Sequence, residues 1–211
     1  MGKMTGLEPV EEIPSKVLMA YGAVQALVGE GRDVNDISVS NITERAGIGK
    51  GTIYDYFESR EELIACAFLF YISRASEKIT QAAQKMHGVR EQIYALFDEL
   101  DKDSEKKSCF VQFVHSATDN SKYSPLVREK LAQSPQGKNL PYYLFGEIMR
   151  GGIESGEIND KLPMEYLLYT VFCKVLTYMM CLATEECFEI DIAQMRELVI
   201  EGILKEIKKE P

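Results

Sequence analysis

VSNITERAGIGKGTIYDYF, Val39 to Phe57, is the stretch around which the rest of the chain is read. Val39, Ile42 and Ala46 fall three and four residues apart, the spacing of one apolar face on a short helix. Gly47 follows where the chain must turn, because glycine enters the left-handed region without a steric penalty. Ile48 is a lone apolar plug in the turn. A second helix then runs from about Gly49 to Tyr56, with Ile53 and Phe57 on its inward side. Helical geometry turns Gly51, Thr52, Tyr54 and Asp55 the other way. A surface of Lys50, Gly51, Thr52 and Tyr54 suits a helix laid against phosphates and base edges, and Gly51 would let backbone or base come close. The plainer reading of the same spacing is two small helices of a bundle whose aromatic residues serve the core.

The longer segment Ser38 to Leu63, SVSNITERAGIGKGTIYDYFESREEL, resembles the N-terminal signature of the TetR family of transcriptional regulators. The resemblance is carried by Ile42, Ala46-Gly47-Ile48, Lys50-Gly51-Thr52, Tyr54, Tyr56-Phe57, Arg60 and Leu63. The remaining chain matches the family only in length and in being helical. Three residues depart from the pattern. Gly49 stands where a serine or threonine usually caps the second helix, so one N-cap hydrogen bond is missing. Thr43 replaces an alanine where the two helices cross and demands more room. Asp55 puts a carboxylate on the side facing DNA, which weakens nonspecific affinity. The residues expected at DNA are Ser38, Ser40, Arg45, Lys50, Gly51, Thr52, Tyr54, Asp55, Tyr56 and Arg60.

Composition bounds the alternatives. With 211 residues, 45% of them hydrophobic, the chain can bury a substantial core in one or two domains. A net charge of −9 argues against a general nucleic-acid coat protein or a binder of anionic membranes, but not against a reader with a few local basic groups. Met1 to Ile64 carries six Lys and Arg against eleven Asp and Glu, a net −5. Lys50, Arg60 and Arg45 are the cations placed for phosphates, and roughly three contacts per subunit predict a log–log salt slope near −5 for a dimer. Cys66, Cys109, Cys173, Cys181 and Cys187 form no CxxC pair, and with only His87 and His115 a zinc site is not expected. Buried free thiols in a reducing cytosol are the plain reading, and a thiol-sensing role the alternative. The N-terminus lacks an apolar run of signal-peptide type, so a cytoplasmic protein is expected.

Residues 1–14 mix acidic and proline residues without periodicity and read as a flexible arm, 15–60 as the helix-turn-helix domain, and 61–211 as a helical effector-binding and dimerisation domain. In the first helix, from Ser15 to about Gly29, Val17, Tyr21, Val24 and Val28 share a face. The connection Arg32 to Ile37 is about two residues longer than the loop usual in the family. Ser38 or Ser40 starts the next helix, its hydroxyl free to cap or to reach a phosphate. A long helix follows from Ser59 to about Ala83, with Glu61 and Glu62 in its first turn, at the positive end of its dipole. The period continues helical over Val89 to Leu100, over the nearly apolar Cys109 to Ala117, from Ser124-Pro125 to Gln133, and from Pro141 to Ser155. Gly151-Gly152 inside the last of these implies close packing.

From Pro163 to Ala183 only Glu165 and Lys174 are charged, and Lys174 in the middle argues against a membrane span. The final helix, Asp191 to Lys208, carries a wide apolar stripe. Two such helices per chain would make a four-helix homodimer interface, as the TetR resemblance also implies, through Tyr169, Phe172, Leu176, Met195, Leu198, Val199 and Ile203. Large soft side chains recur in the middle helices. Most are core, and candidates to line an effector pocket are Phe68, Tyr71, Tyr94, Phe97, Phe110, Phe113, His115, Tyr142, Phe145, Met149 and Phe172. No GxSxG, P-loop, HExxH or GxGxxG occurs in a fitting context, so neither an enzyme nor a cofactor is expected. The resulting expectation is an all-α, homodimeric regulator that binds palindromic operator DNA and a small, mainly apolar or aromatic effector. The competing expectation is a helical ligand-binding protein whose helix-turn-helix no longer reads DNA.

Overall fold

The computed structural model of the chain describes residues 4–102, 123–133, 140–189 and 191–209. Their regular structure is helical, as the sequence period requires: α1 (Ser15–Gly29), α2 (Val39–Ala46), α3 (Lys50–Tyr54), α4 (Arg60–Ala83), α5 (Val89–Asp101), α6 (Tyr123–Gln133), α7 (Leu140–Ser155), α8 (Met164–Phe188) and α9 (Ile192–Ile207). A single 3-10 turn, Val10–Glu12, precedes them. The Cys109 to Ala117 helix expected from sequence lies outside the described residues.

Two compact units share the chain. The first takes described residues 4–74 and 123–133, the second 75–102 and those from 140 onward, with the division falling inside α4 after Arg74. Thus the start of α4 and all of α6 belong with the helix-turn-helix, not with the C-terminal helices.

In the first unit, α1 buries Val17, Tyr21, Val24, Leu27 and Val28, and the Tyr21 ring meets Phe57 and Phe70 at centroid distances of 6.1 and 5.2 Å. α4 is buried on every side from Leu63 to Phe70, as a central helix must be. The N-terminal segment is not a loose arm: Met4, Leu7 and Ile13 are buried. The Glu8 carboxylate shapes it by accepting from Thr5 N, Thr5 Oγ1 and Gly6 N at 2.5, 2.8 and 2.9 Å. Gly6 is required there twice over. Its φ is +80°, and a Cβ would stand 2.1 Å from the Cys66 carbonyl oxygen. Three isolated apolar residues in an irregular segment leave no period to read, which is why composition alone suggested an arm.

In the second unit α8 packs on α7 and α9, and α5 on α7 and α9. The Tyr178 ring lies tilted against Phe97 at a centroid distance of 5.2 Å, and its hydroxyl donates to Asp101 at 2.6 Å. Gly152 does mark close packing, since a Cβ would fall 2.5 Å from Ile158 and 2.6 Å from Val89. Gly151 has open space around it. Residues Met164–Thr184 of α8 are long and apolar enough to cross a membrane by length and composition. Here Leu167, Leu168, Val171, Val175 and Met179 are buried in the unit, and Lys174 pairs with Glu206 at 3.0 Å.

Two expectations need correction. Val199 and Ile203, counted as dimer residues, are buried within their own unit at 5% and 0% exposure, because the α9 stripe is used first against α8. What stays outward is Tyr166, Tyr169 and Met180 on α8 and Leu198 on α9, while Phe172, Leu176 and Met195 are half-covered. The thiols are not uniformly buried either: Cys66 is, Cys173 is exposed and Cys181 is intermediate.

Candidate nucleic-acid interface

The helix-turn-helix is built by local chemistry. Ser38 is the N-cap of α2, its Oγ accepting from Asn41 N at 3.1 Å and donating to Asn41 Oδ1 at 2.8 Å. Ser38 N also donates to Asn41 Oδ1 at 3.0 Å, closing a capping box in which asparagine takes the place of the usual Glu or Gln. The Ser38 hydroxyl is therefore engaged in the cap. At the far end Gly47 takes φ +67°, which lets Ile48 N reach back to the Thr43 carbonyl at 3.1 Å. Thr43 is buried where an alanine would need no partner, and its Oγ1 is satisfied by donating to Ser40 O at 3.1 Å.

α3 is short, five residues, and as the sequence implies its N-cap Gly49 makes no side-chain bond. Ile53 and Phe57 anchor it inward. Outward stand Lys50, Gly51, Tyr54 and Asp55, with Tyr54 57% exposed, and Thr52, Tyr56 and Ser40 are half-exposed. A Cβ built on Gly49 or Gly51 meets nothing within 4 Å. Among the described residues no packing demands glycine at either position. Lys50 pairs with no described acidic residue.

The other two expected cations are committed elsewhere. Arg45 pairs with Glu30 at 2.7 Å on the surface. Arg60 uses all five of its N–H donors inside the unit. Nη1 donates to the carbonyls of Asn35 and Ile37 at 2.9 and 2.7 Å. Nη2 donates to the Tyr123 hydroxyl and to Glu61 at 3.0 and 2.9 Å, and Nε to Glu61 at 3.2 Å. Arg60 is thus a structural tie and has no donor left for a phosphate. The loop before α2 is fixed at the same time. Val34 and Ile37 are buried, and the Val34 carbonyl accepts from Tyr123 Oη at 3.3 Å.

Beside Arg60, Glu62 and Lys130 form a buried ion pair at 2.5 Å, both almost completely covered. Lys130 also donates to the Met4 carbonyl at 2.9 Å. Burial pushes the Cys66 thiol and the Tyr21 hydroxyl well above their ordinary pKa values, so both are neutral in this interior. Burial likewise raises Tyr123, against the opposing charge of Arg60. Sequence reading missed Tyr123, Glu62 and Lys130. The signal was the i, i+4, i+7 face of Tyr123, Val127 and Lys130 on α6, all buried, in which a lysine looks like a break in the stripe.

The expected effector residues scatter. Phe68 is buried and Tyr71 half-buried in the first unit. Phe97, Phe145 and Met149 are buried and Phe172 half-buried in the second. Tyr94 is no pocket liner: its hydroxyl donates to Glu197 at 2.7 Å, and Arg90 and Arg196 lie over its ring at the α5–α9 surface. Phe110, Phe113, His115 and the Tyr142 side chain lie outside the described residues. A dent of about 90 Å³ in the second unit is lined by Thr80, Ala83, Gln84, Gln92, Glu147 and Ile148, none of them an expected effector residue.

Residues 30–66 match the family model described as bacterial regulatory proteins, tetR family. No curated protein matches the chain. Similar solved structures include the fatty acid degradation regulator FadR of Bacillus halodurans, 21% identical with TM-score 0.71, covering 92% of this chain and 96% of that one. FadR of Bacillus subtilis in complex with stearoyl-CoA is also 21% identical, with TM-score 0.68 over 90% of this chain and 98% of that one. A Saccharomonospora viridis regulator in complex with choline is 14% identical, with TM-score 0.69 over 92% and 98%. Residues 30–66 thus carry the helix-turn-helix segment of the tetR-family model, and the fold of the chain is similar to that of solved TetR-family regulators.

Proposed function

We propose that the chain acts in the cytoplasm as a homodimeric transcriptional repressor, which a small, mainly apolar or aromatic effector releases from a palindromic operator. The observation that carries the reading is the outward face of α3, where Lys50 and Tyr54 flank a Gly51 that no described residue packs against. Each α3 enters a major groove, with half-sites about 34–36 Å apart for grooves one turn apart. Ser40, Lys50, Thr52, Tyr54, Asp55 and Tyr56 are the side chains offered to DNA. Dimerisation through α8 and α9 is supported by Tyr169 and Leu198, exposed where a lone subunit would leave an apolar patch in water. The effector class is supported by the buried Phe, Tyr and Met side chains of both units. The stearoyl-CoA in the Bacillus subtilis structure makes a long-chain acyl-CoA the first compound to try, and choline the second.

The test is gel retardation of duplexes from the protein's own upstream DNA, with random duplex as competitor and with stearoyl-CoA or choline added. Specific retardation by a dimer, relieved by stearoyl-CoA through its acyl chain and so not by free coenzyme A, is the expected result. Retardation no stronger than on random DNA would favour the helical ligand-binding protein whose motif no longer reads DNA. Release by highly charged metabolites or metal ions alone would remove the apolar-effector reading. Sedimentation of the Tyr169→Asp, Leu198→Asp double variant should show folded monomers that have lost the operator; a dimer would move the interface elsewhere.

A further inference from the structure

α2 packs on α1 and α3 on both, but each is short and offers few buried side chains to fix its rotation. α2 has eight residues and buries Ile42, Thr43 and Ala46, while α3 has five and buries only Ile53. Helices this short are not stable alone in water, so tertiary contacts hold them, and polar contacts where the chain enters and leaves the pair add to the apolar ones. The chain enters α2 through Asn35 to Ser38 and leaves α3 through Phe57 and Glu58. Both places are gripped, and by the same two elements. At the entry, Arg60 in the first turn of α4 donates to the Asn35 and Ile37 carbonyls. Arg60 is itself fixed by the Tyr123 hydroxyl of α6, which in turn donates to the Val34 carbonyl. At the exit, Glu62 accepts from Glu58 N with Oε2 at 2.6 Å. Its other oxygen, Oε1, takes the buried Lys130 ammonium of α6. Lys130 rests on the Met4 carbonyl, which also accepts from Cys66 Sγ at 3.3 Å, so the N-terminal segment backs the second grip.

We propose that α6 sets the orientation of the reading helix through a two-point polar clamp: Tyr123, acting through Arg60, holds the chain entering α2, and Lys130, acting through Glu62, holds the chain leaving α3. Tyr123 and Lys130 lie seven residues apart, two turns of α6, and Val127 between them is buried on the same side, so one rigid face reaches both grips. Arg60, Glu62, Tyr123 and Lys130 are positioning residues and touch no DNA. Hydrogen bonds suit this task better than apolar contact, because their strength falls steeply with angle and they fix rotation as well as distance. The clamp rests on the proposed reading of DNA for its consequence, but its mechanical part does not.

The experiment uses the full chain and two variants. Tyr123→Phe deletes one hydroxyl and leaves the ring in place. The double variant Glu62→Gln, Lys130→Met removes both buried charges, and the Gln carbonyl still accepts from Glu58 N. Each should weaken operator binding about five- to tenfold, the worth of one or two misplaced hydrogen bonds. Binding to random duplex and the log–log salt slope should stay as in the wild type, since no phosphate contact is lost. Amide hydrogen exchange should quicken across Ser38 to Phe57 and stay unchanged in α9. Exchange in Ser38 to Phe57 unchanged in both variants would overturn the clamp, whatever the DNA does. So would an equal fall on operator and random DNA with a shallower slope, which would make these residues phosphate ligands. Should the wild type fail to select any upstream duplex, the reading of DNA fails and the exchange measurement alone decides the clamp.

Discussion

The two units tie their helices together with polar side chains placed in opposite ways. In the first, the tie is interior: Lys130 and Glu62 are 2% and 5% exposed and bond to each other, to a backbone amide and to a backbone carbonyl. In the second, the charged ties run along the outside. Arg196 reaches Asp98, Asp101 and Glu197, Arg90 reaches Glu201, and Lys174 reaches Glu206. The reason lies in the lengths of the elements. α8 and α9, with 25 and 16 residues, share enough apolar surface to fix each other, and their ion pairs are left at the rim. The eight and five residues of α2 and α3 share less, so polar bonds add direction there, and the buried ones are strengthened where water is kept out. A unit held by buried charges is sensitive to losing one of them, and a unit held by apolar stripes is not.

The largest effect should therefore come from leaving one buried charge alone. Lys130→Met strands the Glu62 carboxylate in the interior and should cost about 3–5 kcal/mol of stability. Glu206→Gln removes the half-exposed partner of Lys174 and should cost about 0.2–1 kcal/mol, screened further by salt. Urea unfolding of both variants beside the wild type measures the contrast. Equal midpoints for the two would break it.

A medium effect should appear at alkaline pH. Cys66 and Tyr21 are held above their ordinary pKa values mainly by burial, so the folded protein keeps both protonated where the unfolded chain would release the protons. Their contribution is complete below the unfolded thiol value of about 8.5 and is lost as the pH rises beyond it, at up to about 1.4 kcal/mol per pH unit for each group. By pH 10 Cys66 alone should account for about 2 kcal/mol. Stability measured from pH 7 to 10 should fall in the wild type, and less steeply in Cys66→Ala. The slope is the quantity to compare, because the lost methyl-sized volume and the lost bond to Met4 shift Cys66→Ala by a constant. Parallel slopes would mean that this interior admits water.

The contrast also marks what sequence could deliver. α2, its turn and the start of α3 are written in neighbouring residues: Ser38 and Asn41 make the cap, Gly47 the turn, and Ile53 and Phe57 the inward side. Boundaries of α4, α5, α7 and α9 follow from apolar period to within a residue, whereas α8 runs on to Phe188, past the end of the apolar segment at Ala183, and Gly152 is marked by its place inside a helix. Arg60 was misread because its partners stand 23, 25 and 63 residues away, where no local pattern points to them. Lys130 was overlooked because a lysine in a buried stripe is legible only once Glu62 is known to face it. Val199 and Ile203 belong to a stripe wide enough for two partners, and period cannot say which partner takes which residue.

The smallest effect concerns the surface that the clamp presents. With Arg60 turned inward and Arg45 paired to Glu30, Lys50 is the one expected cation per subunit left unpaired for a phosphate. A dimer that neutralises two phosphates has a log–log salt slope of about −2, and about −4 if Arg45 leaves Glu30 for DNA, shallower than three cations per subunit would give. Lys50→Ala should lower affinity for every sequence and make the slope less negative by about 2, one counterion from each half-site. Asp55 stands exposed one residue beyond α3 and repels phosphate, yet a carboxylate there is able to accept from cytosine N4 in the groove. Asp55→Asn should then raise affinity for random duplex a few-fold and narrow the preference for operator, with no change in urea midpoint. Fluorescence anisotropy against salt, on operator and random duplexes, reads both variants. A wild-type slope near −10 would require phosphate ligands that neither Arg45, Lys50 nor Arg60 supplies, and would place the basic surface outside the helix-turn-helix.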